Sequence, residues 1–199
     1  MTIEIVVPVH HPAPNLEKTM VAIVEATTAS HLVGARKLFI EFYDWMKVHH
    51  EERPDLFVKY YDSSVYAEEV AGLPGEYGPP GGKLLVAINE ECADHSIVGC
   101  VGIRDMGGGI CEMKRMFVPE SFNGQGLGRI LANSIVRAAR DMGYLTMRLD
   151  TGVRQAAAIK LYSSLGFEII EAYYEVPPDL DEILVFMELS LEDWQRMSS

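Results

Sequence analysis

Hydrophobic and polar positions along the chain switch repeatedly between a period of two and a helical period. Residues 21–26 form an apolar run that reads as a strand. From residue 30 to 49, Leu32, Ala35, Phe39, Phe42, Tyr43 and Met46 recur at helical spacing, with Ser30 placed to cap the helix. A weaker helical pattern covers residues 65–73, and the following Pro- and Gly-dense stretch, 73–82, breaks both periods and is a loop. Residues 83–89 and 97–104 predict a hairpin whose turn contains Asp94. Past Gly107-Gly108-Gly109, residues 110–118 predict another strand, leading through Pro119 to Phe122 into a glycine-rich stretch. A helix starts there: Leu127, Ile130, Leu131, Ile135, Ala138 and Met142 make one apolar stripe, closed by Gly143. Residues 145–151 read as a strand. Residues 155–165 read as a short helix with Ala158, Leu161, Tyr162 and Leu165 on one face and Gly166 as its stop. Strands at 168–174 and 183–189 end the pattern. Alternation of strands and helices through the second half predicts an α/β (α+β) class with a mixed sheet.

Composition narrows the setting. At 199 residues and 48% hydrophobic content the chain fits one domain with a sizeable core. Its apolar runs fall well short of the ~18 residues of a membrane span, and no basic leader is evident, so a soluble, cytoplasmic protein is expected. Cys92, Cys100 and Cys111 form no C-x-x-C pair, which argues for reduced, buried thiols over disulfides or a thiolate zinc site. The net charge of -12 opposes partnership with nucleic acid or membrane. Residues 111–160 nevertheless carry eight basic against four acidic side chains. This is either a local anion site or merely uneven surface charge.

The basic segment is centred on Asn123-Gly124-Gln125-Gly126-Leu127-Gly128-Arg129. A loop running from a strand into a helix offers free N–H groups and the positive end of the helix dipole, and bare glycines let a phosphate approach closely. The same glycines fit a tight turn that needs positive φ. A nucleoside-triphosphate loop requires a following Lys and Ser or Thr, which are absent, and in the dinucleotide fingerprint the third glycine would fall one position later.

Two motifs together resemble a known family. Cys111-Glu112-Met113-Lys114-Arg115-Met116-Phe117-Val118, followed by Phe122 through Leu131, resembles the acyl-CoA-binding core of the GNAT acetyltransferases. Gln155-Ala156-Ala157-Ala158-Ile159-Lys160-Leu161-Tyr162, ending in Gly166-Phe167, resembles the family's downstream Leu-Tyr…Gly-Phe helix. The resemblance covers residues 21–191, leaving an N-terminal extension, 1–20, and a tail, 192–199. Asn123 stands where the family loop usually has Arg or Gln, and Gln155 where Asn is common. The fold implied is a twisted mixed sheet of about seven strands flanked by four helices, with two central strands splayed apart. The coenzyme A implied by the resemblance would lie along Met116, Phe117 and Val118, with its pyrophosphate at Asn123, Gly124, Gln125, Gly126, Leu127, Gly128 and Arg129. Gln155 and Ala158 would border it from the second helix.

The implied function is transfer of an acetyl group from acetyl-CoA to a primary amine of a small molecule or protein, by direct attack in a ternary complex. The resemblance makes Tyr162 the proton donor to the leaving sulfur; the alternative is an aromatic core residue. Glu112, on a central strand, is the candidate base, and a salt bridge to Lys114 is its competing role. The N–H of Phe117 or Val118 is placed to polarise the thioester carbonyl. Tyr77, Tyr173 and Tyr174 fall in segments that border the acceptor side in the family, and packing alone also explains them. His10-His11 and His49-His50 complete no metal site. Acidic clusters at Glu51-Glu52, Glu68-Glu69 and Glu90-Glu91 favour a cationic acceptor if they face the cleft. A non-catalytic acyl-CoA sensor of the same fold is the other functional class, and a homodimer through an exposed strand edge is one option for assembly.

Overall fold

A computed structural model describes residues 5–9, 19–91 and 96–197. Eight strands form one mixed sheet: β1 (Ile5–Val9), β2 (Thr19–Glu25), β3 (Lys83–Asn89), β4 (Ile97–Gly107), β5 (Ile110–Phe117), β6 (Thr146–Gly152), β7 (Glu168–Ile170) and β8 (Leu184–Ser190). Their order across the sheet is β1-β2-β3-β4-β5-β6-β8-β7, and every neighbouring pair is antiparallel except β5 and β6. Helices are α1 (Ala29–His49), α2 (Pro54–Tyr60), α3 (Ser63–Ala71), α4 (Leu127–Asp141), α5 (Ala156–Ser164), α6 (Pro178–Asp181) and α7 (Leu191–Met197). None of the helices among the described residues is long and apolar enough to cross a membrane.

Strand alternation divides the core into two layers. On β3, Leu85 and Ala87 face one way and join Leu131, Ile135 and Ala139 of α4, while Leu84 and Val86 face the other and join Leu38 and Phe39 of α1. The second layer is largely aromatic, with Phe42 edge-on to Phe117 at 5.6 Å and Tyr43 edge-on to Phe57 at 5.1 Å. At Gly102 a Cβ would lie 2.6 Å from the Tyr77 ring, so only glycine lets that ring settle on β4.

Strand β6 pairs with β8 along its whole length, Thr146 to Gly152, but with β5 only at Ile110–Glu112 against Thr146–Arg148. Beyond Glu112 and Arg148 the two parallel strands part. The β6-facing backbone groups of the rest of β5 have no strand partner. This is the splay that the resemblance implied, and α4 and α5 border it.

Several boundaries differ from expectation. Thr28, not Ser30, caps α1, its Oγ1 accepting from the His31 N–H at 3.2 Å. Helix α2 is an addition, started by Pro54 at its first position and ended after one apolar face, Leu56 and Phe57, is buried. The strand expected over 168–174 stops at Ile170, and the following residues turn Tyr173 and Tyr174 onto Phe186 at 5.3 and 5.2 Å. Strand β1 comes from the expected extension and brings the count to eight. In the expected tail, α7 buries Trp194. Asp94, Cys92, His10 and His11 lie outside the described residues, whereas Cys100 and Cys111 are buried free thiols, each pushed up to about 12 by burial.

Candidate active site

A cavity of about 560 Å³ fills the splay. Met116 and Phe117 of β5 and Val118 just past its end line it, with Asn123 and Gly128 of the glycine loop, Gln155 at the cap of α5, and Ala158 and Tyr162 of α5. Eight of the residues expected at a cofactor or catalytic position therefore converge on one space. Helix α1 closes it with Phe42, Trp45, Met46 and His49, and α2 with Leu56, Phe57 and Tyr60.

Beside the cavity, Gly124 and Gly126 hold φ of 76° and 82°. A Cβ at either would meet no atom within 4 Å, so the left-handed backbone, not crowding, demands glycine there. Gly126 caps α4, its carbonyl accepting the Ile130 N–H at 3.1 Å as the helix begins. The N–H groups of Leu127, Gly128 and Arg129 are consequently left for an outside acceptor, at the positive end of the dipole. The side chains around them divide the work. Leu127 is buried in the core. Gln125 is buried with its Nε2 donating to the Ser121 carbonyl at 3.1 Å, and its Oε1 has no partner. Arg129 is exposed and donates to Ser164 Oγ at 2.8 Å. Gln155 braces the opposite wall, its Oε1 accepting from Gly152 N–H at 3.1 Å and from Thr151 Oγ1.

Strand β5 carries a bulge where it borders the cavity: Gly102 pairs with Lys114 and Cys100 with Phe117, so Arg115 and Met116 of β5 oppose Val101 alone on β4. Arg115 takes the extra position with φ of 55°, a conformation that costs a non-glycine residue about 1–3 kcal/mol. Its guanidinium is clamped by Glu69 at 2.8 and 2.6 Å and stacked 4.8 Å over the ring of Tyr66. Glu69 Oε1 also accepts from Tyr77 Oη at 2.6 Å. Burial raises the Glu69 carboxyl, and the Arg115 bonds outweigh it to hold the group below its ordinary value.

Tyr162 is buried, and its hydroxyl points to Met116 Sδ at 3.6 Å, a weak acceptor. Burial, and then the charge of Asp150, push its pKa well up, which keeps the proton on the oxygen.

Two carboxylates flank the splay. Glu112 is 0% exposed and lines neither this cavity nor the second one described below. Arg104 Nε bonds its Oε2, Tyr173 Oη donates to its Oε1 at 2.5 Å, and Lys114 Nζ stands 3.7 Å away. The salt bridge to Lys114 is thus present, and an amine has no direct path to this group. Asp150, on β6 beyond the parting point, lines the cavity with a side chain 1% exposed. Its Oδ1 accepts from Lys114 Nζ at 2.9 Å and its Oδ2 from Tyr60 Oη. Burial raises its carboxyl, but Lys114 and the Tyr60 bond outweigh that and lower it overall.

A second cavity, about 740 Å³, opens on the other side of Lys114 and Tyr60. Tyr77, Tyr174, Glu68, Glu69 and Glu76 line it together with Arg104 and Arg115. Of the acidic clusters, Glu68-Glu69 faces a cavity. Among the described residues no group of three His, Cys, Asp or Glu side chains is arranged to hold a metal.

The fold aligns with solved structures over most of the chain. A putative acyl-CoA N-acyltransferase from Klebsiella pneumoniae matches with a TM-score of 0.62 at 25% identity, over 86% of this chain and 97% of that one. The PaiA N-acetyltransferase of Thermoplasma acidophilum, solved in complex with coenzyme A, matches with a TM-score of 0.61 at 15% identity, over 85% and 98%. Fold and cleft together define the acyl-CoA N-acyltransferase fold. Residues 36–167 match the family model described as Acetyltransferase (GNAT) family, and the chain belongs to that family. Among curated relatives, an uncharacterized N-acetyltransferase of Schizosaccharomyces pombe is 40% identical over 55% of this chain and 66% of its own length. The IAA acetyltransferase of Azospirillum brasilense is 39% identical over 48% and 62%, and human N-acetyltransferase 8 is 34% identical over 44% and 39%. The chain spans less than two thirds of the length of each of these relatives.

Proposed function

We propose that this protein is an N-acetyltransferase that joins the acetyl group of acetyl-CoA to a primary amine within a ternary complex. The observation that carries the reading is the parting of β5 and β6 beside a glycine-capped helix start. An unpaired strand edge suits the amides of a pantetheine arm, and the free N–H groups of Leu127, Gly128 and Arg129 suit a pyrophosphate. The family membership and the coenzyme A complex of the Thermoplasma structure support the same assignment. Bound there, the thioester supplies an activated acyl carbon.

The chain's own residues supply the rest. Met116, Phe117 and Val118 orient the arm along the strand, and the Phe117 or Val118 N–H faces the developing oxyanion. Tyr162, kept protonated, gives its proton to the departing sulfur. Glu112 serves as the buried counter-charge that fixes Arg104, Lys114 and Tyr173 around the acceptor side, so a direct base role is not carried forward. The amine's proton leaves to solvent through the second cavity.

The reading is tested by incubating the purified chain with acetyl-CoA and a pool of primary amines and following thiol release. Turnover that collapses in Tyr162→Phe supports it. Coenzyme A binding without turnover across the pool would establish the sensor instead, and absence of coenzyme A binding would exclude both.

A further inference from the structure

The two cavities meet at a wall made by Tyr60, Tyr61, Lys114 and Arg115, which line both. Arg115 is turned away into its clamp with Glu69. Lys114 is therefore the shared cation that reaches Asp150, a carboxylate lining the cofactor cavity; the cavity's other carboxylate, Glu120, accepts instead from Trp45 Nε1 at 2.9 Å. Its side chain is 13% exposed, and its ammonium has a fallback partner in Glu112 at 3.7 Å, so it can leave Asp150 without being stranded. Asp150 and Tyr162 line the same cavity, so the carboxylate stands on the side of the proton donor, and its charge bears on that hydroxyl. An ammonium on an unbranched four-carbon stem thus already occupies the carboxylate that shares the cavity with Tyr162.

We propose that Asp150 receives the acceptor's ammonium and that Lys114 is the internal cation it displaces, a geometry that selects primary amines on unbranched alkyl stems. The proposal rests on the acetyltransferase reading above. On the approach side, Lys59, Arg104 and Arg115 are held by Asp179, Glu112 and Glu69, which mutes their repulsion of a cation. Glu68 is exposed at the same cavity, and the rings of Tyr60, Tyr77 and Tyr174 suit an alkyl stem with a charged end.

In the reaction, the docked ammonium gives one proton to solvent and the freed lone pair forms the N–C bond. The C–S bond breaks, and the sulfur takes the Tyr162 proton. The remaining excess proton on nitrogen returns to Tyr162 through solvent, so each turnover yields an amide, a thiol and one net proton.

The test measures thiol release by the full chain with acetyl-CoA and either n-butylamine or tert-butylamine. The proposal expects n-butylamine to be acetylated and tert-butylamine to be inert. Asp150→Asn should raise the KM for n-butylamine by about 10- to 100-fold, the loss of one charged hydrogen bond, with a smaller change in kcat and unchanged coenzyme A affinity. Lys114→Met, which removes the competitor, should lower that KM about tenfold. An unchanged KM in Asp150→Asn, or an unchanged or raised KM in Lys114→Met, overturns the proposal. If Asp150→Asn fails to fold, Lys114→Met decides, supported by a larger rise in its Tm on adding n-butylamine than wild type shows. Coenzyme A binding with turnover of other amines only overturns this proposal and leaves the acetyltransferase intact. No turnover of any amine overturns the acetyltransferase reading itself.

Discussion

Glu112 and Asp150 are both buried carboxylates on adjacent strands, and both contact Lys114. They differ in which side of the parting point they occupy. Glu112 is the last residue of β5 still paired with β6, and its remaining partners, Arg104 and Tyr173, close around it. Asp150 lies two residues beyond Arg148, where β6 has lost β5, and its partners Lys114 and Tyr60 border two cavities. Equal burial thus gives one charge that organises the protein and another that a ligand can reach. Backbone pairing, not side-chain type, decides between them.

The sharpest way to break this contrast is to empty the closed side. Glu112→Ala takes the acceptor from Tyr173 and the buried one of Arg104's two carboxylate partners and should cost about 1–3 kcal/mol, a drop in Tm of several degrees. Glu112→Gln keeps an acceptor for Tyr173 and should retain kcat within about threefold once folded; a ~100-fold loss in a folded protein would restore a base role. On the open side, Tyr162→Phe should lower kcat about 100-fold while the KM for acetyl-CoA stays within about twofold. Gly126→Ala forces a side chain into the left-handed region and should cost about 1–2 kcal/mol, with coenzyme A affinity falling roughly tenfold in isothermal titration.

Acid titration separates the two carboxylates further. The folded pKa of Asp150 is lowered, so its stabilisation is fully present above its unfolded value of about 3.9 and is lost as pH falls through the folded value. Asp150→Asn should flatten that part of the acid unfolding curve. The smallest effect is expected at Asn123, which is exposed at the cavity: Asn123→Arg should tighten coenzyme A binding by a few-fold, near the ~0.3–1 kcal/mol of a charge at a helix start.

Elements with a long period or sharp punctuation were legible in the sequence. The stripe from Leu127 to Met142, bounded by Gly126 and Gly143, gave α4 within a residue or two, and residues 83–89 coincide with β3. Helix α2 escaped because seven residues hold too few turns for a period, although Pro54 with Leu56, Phe57 and Tyr60 marked it. The positive φ of Arg115 could not be read at all, since its support comes from Glu69, 46 positions away. The site divides in the same manner. Residues on the glycine loop and on α5 announced themselves by motif, whereas Tyr60 meets Asp150 across 90 positions, a contact that only tertiary packing creates. Glu112 was found as a carboxylate on a central strand. Its pairing with Arg104 follows from the hairpin that turns at Gly107-Gly108-Gly109, where the two residues stand opposite each other, but its enclosure also depended on Tyr173, 61 positions away, which no spacing rule links to it.

The most direct measurement is a calorimetric titration of the purified chain with coenzyme A, wild type beside Gly126→Ala. Saturable binding at one site per chain, weakened about tenfold by the substitution, is the predicted result. No binding to the wild type, or equal affinity in a folded Gly126→Ala protein, would contradict a coenzyme cradle at the parting of β5 and β6.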